Sequence, residues 1–153
     1  PPYPQGSPLM LSNPSALAAF GAIFGTLYAA HQVADHWVQT QHQADHKGLP
    51  GSQGRAACLA HVGSYTITSA VMIAVLAGVT GMTITFPWLV VGLWVSAVSH
   101  YVADRRVPLR RMADRLGKDP GWLERGGGLY ALDQAWHYGW LWVSALVITV
   151  GAR

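Results

Sequence analysis

The sequence predicts an all-α integral membrane protein, a four-helix bundle running up-down-up-down with both termini extracytoplasmic. Three observations carry that prediction. The 153 residues are 51% hydrophobic and only 11% charged, where a soluble domain carries about 25% charged residues. Four apolar stretches, roughly 16–30, 62–79, 82–98 and 138–150, divide the chain. Apart from Arg153, every Lys and Arg falls in the segment between the first two stretches or the one between the last two. The positive-inside rule places both segments in the cytoplasm, which fixes the orientation and makes the chain a multi-pass protein of the inner (cell) membrane.

Taken in order, residues 1–14 read as a Pro-rich flexible lead-in without the positive region of a signal peptide. The transmembrane domain occupies 15–153, and Asn13-Pro14-Ser15 is a start signal for its first helix. The first and last apolar stretches are short of the about 20 residues that a span requires. Each reaches that length only when its adjoining His/Asp segment is also helical, so the polar residues are expected inside the spans. Residues 78–85 carry no charge and predict a tight antiparallel hairpin. The segment at about 105–128 holds seven basic residues, with Val107, Leu109, Met112 and Leu116 spaced for a short amphipathic helix on the membrane surface.

The net charge of +3 is read as topology, helped by attraction to anionic headgroups. The expected partner is the lipid bilayer, and no nucleic acid is expected. The single cysteine, Cys58, excludes an internal disulfide and reads as a small packing residue. Trp37, Trp88, Trp136 and Trp140 are expected in packing or in the interfacial belt.

Four polar clusters interrupt this apolar chain. The first span ends with His31 and Asp35, with Gln39 a turn further; the second opens with His61, then Tyr65 and Thr68. The third ends with His100 and Asp104, and the fourth opens with Asp133, Gln134 and His137. Residues four apart share a helix face, so each His/Asp pair aims one way. An up-down-up-down topology brings all four clusters to the cytoplasmic end. Taken alone, His61 would be interfacial and Asp104, beside Arg105 and Arg106, a solvated helix end. Three His/Asp pairs at the same depth instead predict one inward-facing site, because ionisable residues in spans are costly and face the interior.

Imidazole and carboxylate donors on facing helices suit divalent metal: zinc first, manganese or iron as alternatives, in one to three ions. The predicted ligands are His31, Asp35, His61, His100, Asp104, Asp133 and His137, with Asp133 doubling as a candidate general base. His36 falls off the shared face, while His42, Asp45 and His46 are expected in a loop as interfacial residues.

The motifs "HQVADHWVQT", "LAH", "HYVAD" and "DQAWH", in that order, resemble a family of small bacterial and phage integral membrane proteins classed as a domain of unknown function. The resemblance covers about residues 25–145 and implies no established activity. A lysine expected shortly after the third motif is replaced by Arg105-Arg106. More distantly, the H-x-x-x-D pairs are similar to those of membrane-bound metal-dependent hydrolases, zinc phospholipases C and related nucleases. That similarity implies a metal cluster that cuts phosphoesters, by analogy of motif shape.

The function expected first is therefore a metal-dependent hydrolase at the cytoplasmic headgroup level. A lipid phosphoester is the fitting substrate, with Arg105, Arg106 or Arg110 holding the phosphate. A soluble nucleotide or peptide remains open. The alternatives are an ion or proton transporter, and a non-enzymatic structural or partner-binding protein braced by its metal. A transporter lacks ionisable residues in the outer halves of the spans. A haem bundle is disfavoured by the repeated Asp one turn from His31, His100 and His137, since haem prefers histidines without a carboxylate one turn away.

Overall fold

A computed structural model describes residues 14–153. The lead-in expected over 1–14 lies outside the described residues except for Pro14, which opens the first helix. The described residues form seven α-helices: α1 (Pro14–Val33), α2 (Gln41–His46), α3 (Gly51–Thr80), α4 (Phe86–Asp104), α5 (Val107–Arg115), α6 (Pro120–Arg125) and α7 (Gly128–Val150). A π-helical turn, Ala34–Val38, continues α1. No strand occurs among the described residues. One antiparallel bridge, Ile84 to Ala152, ties the α3–α4 connection to the residues after α7.

Three segments are long and apolar enough to cross a membrane: Pro14–Val38, α3 and α4, with 25, 30 and 19 residues. α7 has 23 residues but falls short in apolarity, because Asp133, Gln134, His137 and several aromatic residues fill its first half. α1 packs against α3 and α7, and α4 packs against the same two helices. Each long helix thus has two neighbours, and their inner faces meet.

Apolar side chains cover the outer faces of the helices, and the interior combines a hydrophobic core around Ile23, Leu27, Ile73, Leu141 and Ile148 with buried polar groups. Leu59, Ile67, Val71, Val75 and Val79 of α3 are exposed, as are Phe86, Val90, Val91, Trp94 and Val98 of α4. The interior holds four histidines, Asp104, Ser69, Ser96, Ser99 and Ser144. In water this exposed apolar surface would be a liability; against lipid it needs no partner. Small residues let the helices close. A Cβ on Gly92 of α4 would collide with the Ile148 side chain and approach the Ser144 carbonyl of α7, so the two backbones meet there.

Several sequence expectations shift. The third span begins at Phe86 rather than 82, because residues 83–85 pair with 151–153 and Pro87 can occupy only the first turn of α4. The α3–α4 connection is short, as expected, and Gly81 caps α3 with a left-handed φ of 72°. α3 begins at Gly51, ten residues before His61, which places His61 about 15 Å inside the helix rather than at its start.

His42, Asp45 and His46 lie on helix α2 and not in a loop. Thr40 and Gln43 form a reciprocal capping box at its start, which frees no backbone donor. Within α5, Val107 and Met112 are exposed. Leu109, assigned to the membrane-facing stripe, is buried with Ala113 because this side of α5 packs on α4 and α7.

Candidate metal centre

The site forms where α1, α3, α4 and α7 converge. On α1, the transition from α to π geometry is marked by a Gln39 amide donating to the Ala34 carbonyl at 2.8 Å. Such wide turns recur at functional sites, where the extra residue re-aims a side chain. Here the turn contains Asp35, whose Oδ2 stands 3.5 Å from His31 Nδ1. α3 supplies His61, α4 supplies His100 and Asp104, and α7 supplies Asp133 and His137. All seven predicted ligands are brought together.

Their donor atoms form three overlapping groups: His31, His100 and His137; Asp35, His61 and His100; Asp104, Asp133 and His137. In each group the donors lie within 4.8 Å of one another. The tightest convergence involves four residues. His61 Nε2 and His100 Nε2 are 3.0 Å apart. Asp35 Oδ1 is 3.4 Å from the first and 3.6 Å from the second. Asp104 Oδ2 is 3.3 Å and 3.2 Å from the same pair. Ligands placed tetrahedrally about 2.0–2.1 Å from one ion stand about 3.3–3.4 Å apart. These five separations, 3.0–3.6 Å, bracket the edges of one small coordination polyhedron.

Hydrogen bonding alone does not account for this cluster. His31, His61, His100 and His137 are each no more than 4% exposed. His31 Nδ1, Asp35 Oδ1, His61 Nδ1, Asp104 Oδ2 and His137 Nε2 are buried and lack a partner in hydrogen-bonding geometry; all but His61 Nδ1 meet an oppositely charged group only at ion-pair distances of 3.2–3.6 Å. Each such atom costs about 1–3 kcal/mol, and a self-sufficient polar core would have satisfied them. A cation among them removes the deficit, so the donor set fits a divalent metal.

A surrounding layer holds the ligands in place. The Tyr65 ring stacks on His100 at 4.1 Å between centroids, and its hydroxyl meets Ser96 Oγ at 2.5 Å. Trp136 Nε1 donates to the Ser99 carbonyl at 2.9 Å. On the other side, Gln32 donates to Tyr138 Oη, Tyr138 donates to Gln134 Oε1, and Gln134 Nε2 donates to Asp133 Oδ2 at 3.2 Å. Of these, the Gln134 amide bonds Asp133 directly and the Tyr65 ring packs on His100, contacts of the kind that orient metal-ligating side chains.

Lys47 is the site residue that sequence reasoning missed. Its Nζ lies 2.8 Å from Asp104 Oδ1, with the pair 13% and 4% exposed. The stretch "HKG" gives no hint of this, since a lysine in a basic connecting segment reads as topology. Asp104 accordingly turns one oxygen to the histidines and the other to an ammonium, and neither Arg105 nor Arg106 pairs with it.

The three arginines assigned to phosphate separate. Arg105 is turned away: its guanidinium donates to the Lys47 and Leu49 carbonyls, both at 2.6 Å. Arg110 is held by Asp114 at 2.9 Å and Glu124 at 3.2 Å, hydrogen bonds that raise its already high pKa. Arg106 has φ of 58° and no ion pair among the described residues.

Arg106 and Arg110 line a cavity of about 450 Å³ together with Asp35, Asp104, Asp133, Lys47 and Gln39. His36 is exposed and lines the same cavity, outside every donor group. His42 and His46 stack on each other at 4.2 Å, also outside those groups.

No protein-family model, curated protein or solved structure matches this chain. The class the fold and site define is therefore a helical protein with three candidate membrane spans and a buried His/Asp cluster able to hold metal.

Proposed function

We propose that this chain is a multi-pass inner-membrane protein, a four-helix bundle of α1, α3, α4 and α7 with both termini extracytoplasmic. We propose further that it is a metal-dependent hydrolase acting on a phosphoester at the cytoplasmic headgroup level. The observation that carries this reading is the convergence of seven His and Asp candidate ligands, five of them with a buried polar atom lacking a hydrogen-bond partner, beside a cavity lined by both carboxylates and cations.

Zinc is the ion favoured by the spacing around His61, His100, Asp35 and Asp104. When bound, a divalent ion supplies Lewis acidity and a nucleophile at neutral pH. His31 and His137 complete or orient the donor set. Asp133 lies on the cavity wall with one oxygen held by Gln134. Its other oxygen, 3.6 Å from His137 Nε2, is in position to accept a proton as general base. The membrane surface brings the substrate to this depth, and the apolar outer faces of the helices keep bulk water from the far side.

Elemental analysis of detergent-purified protein is expected to find at least one divalent ion per chain, removed by chelator together with phosphoesterase activity. A metal-free, chelator-insensitive protein, or one absorbing in the Soret band, overturns the reading. Retained metal without turnover of any phosphoester reduces the site to a structural brace. Orientation has its own test. An Arg115→Cys protein lacking Cys58 should resist a membrane-impermeant thiol reagent applied to intact cells, because α5 is placed in the cytoplasm. Efficient labelling reverses the topology.

A further inference from the structure

The cavity beside the metal ligands carries a charge pattern that the donor cluster does not use. Three carboxylates, Asp35, Asp104 and Asp133, line it against three cations, Lys47, Arg106 and Arg110. Arg110 is already balanced by Asp114 and Glu124, and Lys47 is held on Asp104. Without metal, the carboxylates outweigh the cations left to meet them, and an anion is repelled. One divalent ion held by Asp35 and Asp104 would reverse that balance and would weaken the hold of Asp104 on Lys47.

Two further features point to an anionic occupant. Gln39 Nε2 is a buried donor without a partner on a residue that lines the cavity. Arg106 sits at positive φ, a conformation that costs a non-glycine residue about 1–3 kcal/mol and persists where the surroundings impose it. Its neighbours do so. Arg105 is fixed to the Lys47 and Leu49 carbonyls, Pro108 lies in the first turn of α5, and the Arg106 side chain crosses Gly48, where a Cβ would come within 2.9 Å of it. From this strained turn Arg106, which has no ion pair among the described residues, lines the cavity.

We propose that this cavity contains an oxyanion subsite, built from Arg106, Lys47 and Gln39, which takes a phosphomonoester and fills only when the carboxylates carry metal. It rests on the metal-dependent reading above and specifies its substrate class. A monoester carries about −1.5 to −2 charges near neutrality and three free oxygens. One oxygen can face the metal and two remain for the planar guanidinium fork, a division that a diester, with two free oxygens, cannot make. The shared chemistry is the phosphomonoester group, whether on a lipid headgroup or on a soluble ester.

The test uses the full chain in phosphatidylcholine nanodiscs, with Mn2+ as probe ion followed by electron paramagnetic resonance and inorganic phosphate as probe anion. Phosphate is expected to tighten Mn2+ binding about tenfold, and by linkage Mn2+ must tighten phosphate binding by the same factor. Arg106→Asn retains a residue tolerant of positive φ and should keep Mn2+ affinity while losing the coupling. Arg110→Gln, at an already balanced cation, should retain most of it.

Nanodiscs containing phosphatidic acid separate the sources. Coupling with that lipid alone assigns a headgroup, and coupling with free phosphate assigns a soluble ester. Mn2+ bound with no coupling from either source, or coupling unchanged in Arg106→Asn, overturns the subsite and leaves the metal centre standing. Failure of Mn2+ and Zn2+ to bind overturns both.

Discussion

An Asp104→Asn protein is expected to lose metal far more readily than the wild type, with an affinity drop exceeding the about 10–100-fold typical of losing an outer partner. The change is near-isosteric, but it removes the negative charge facing His61 Nε2 and His100 Nε2 at 3.3 and 3.2 Å. Metal at about 100 times its dissociation constant stabilises the native state by about 2.7 kcal/mol, and that increment should vanish. The variant also strips Lys47 of its partner, which lowers stability with or without metal. The informative quantity is therefore the change in melting temperature on adding metal, not the melting temperature itself. His36→Gln is the matched control, since His36 lines the cavity outside the donor groups. Equal metal loss in both variants would mean that α1 presents a different face. Unchanged metal response in Asp104→Asn would leave Asp104 as the partner of Lys47 alone.

The second large effect is expected from Arg105→Ala, and it is structural. Two charge-assisted hydrogen bonds, each worth about 1.5–3 kcal/mol when well shielded, join the end of α4 to the Lys47 and Leu49 carbonyls. Partial exposure reduces their sum to about 2–3 kcal/mol, and a loss of that size lowers the melting temperature by about 5 °C or more. Arg105→Lys should recover little, because one ammonium cannot reproduce the planar fork that spans two acceptors. Metal affinity should fall only modestly, through the loosened Lys47 turn. Wild-type stability in Arg105→Ala, with phosphate coupling abolished, would return Arg105 to the substrate. The contrast with Arg106→Asn is sharp. Two adjacent arginines, alike in sequence, should separate into a loss of stability and a loss of anion binding.

The physical basis of the site also explains why it tolerates so much buried polarity. A bundle in lipid gains little from burying leucine in its interior, since the acyl chains are equally apolar. Small residues and internal polar contacts, such as Gly92, Ser96, Ser99 and Ser144, therefore share the core with Ile23, Leu27, Ile73, Leu141 and Ile148. Four histidines and a carboxylate in such a core are held only if something satisfies them. Lys47 pairs with Asp104, the His61 and His100 rings meet, and Gln134 donates to Asp133, which satisfies part of the set. The orphaned donors mark what is left for a cation.

What the sequence determined by itself was local. Low charge and long apolar runs require helices long enough to cross a bilayer, and three such segments are present. Spacing of four along a helix sets which side chains share a face, so His31 with Asp35, His100 with Asp104 and Asp133 with His137 were legible as pairs. The polar residues at the ends of the apolar runs were legible as helix, because α1 and α7 need them to reach full length.

Tertiary structure decided everything that depends on contact between distant segments. His61 looked like a helix start but lies well inside α3, since the stretch 51–60, with two glycines at its start, is held helical where Gly54, Ala57 and Cys58 are buried. Lys47 reads as one more basic residue until the α2–α3 connection folds against the end of α4 and places its ammonium on Asp104. Arg105 and Arg106 cannot be told apart along the chain; a left-handed residue at the α4–α5 turn sends one to backbone carbonyls and the other to the cavity. The π turn at 34–38 likewise leaves no periodicity of its own. Periodicity records how a residue faces its own helix, while coordination and charge balance are set by what the other helices bring to the same point.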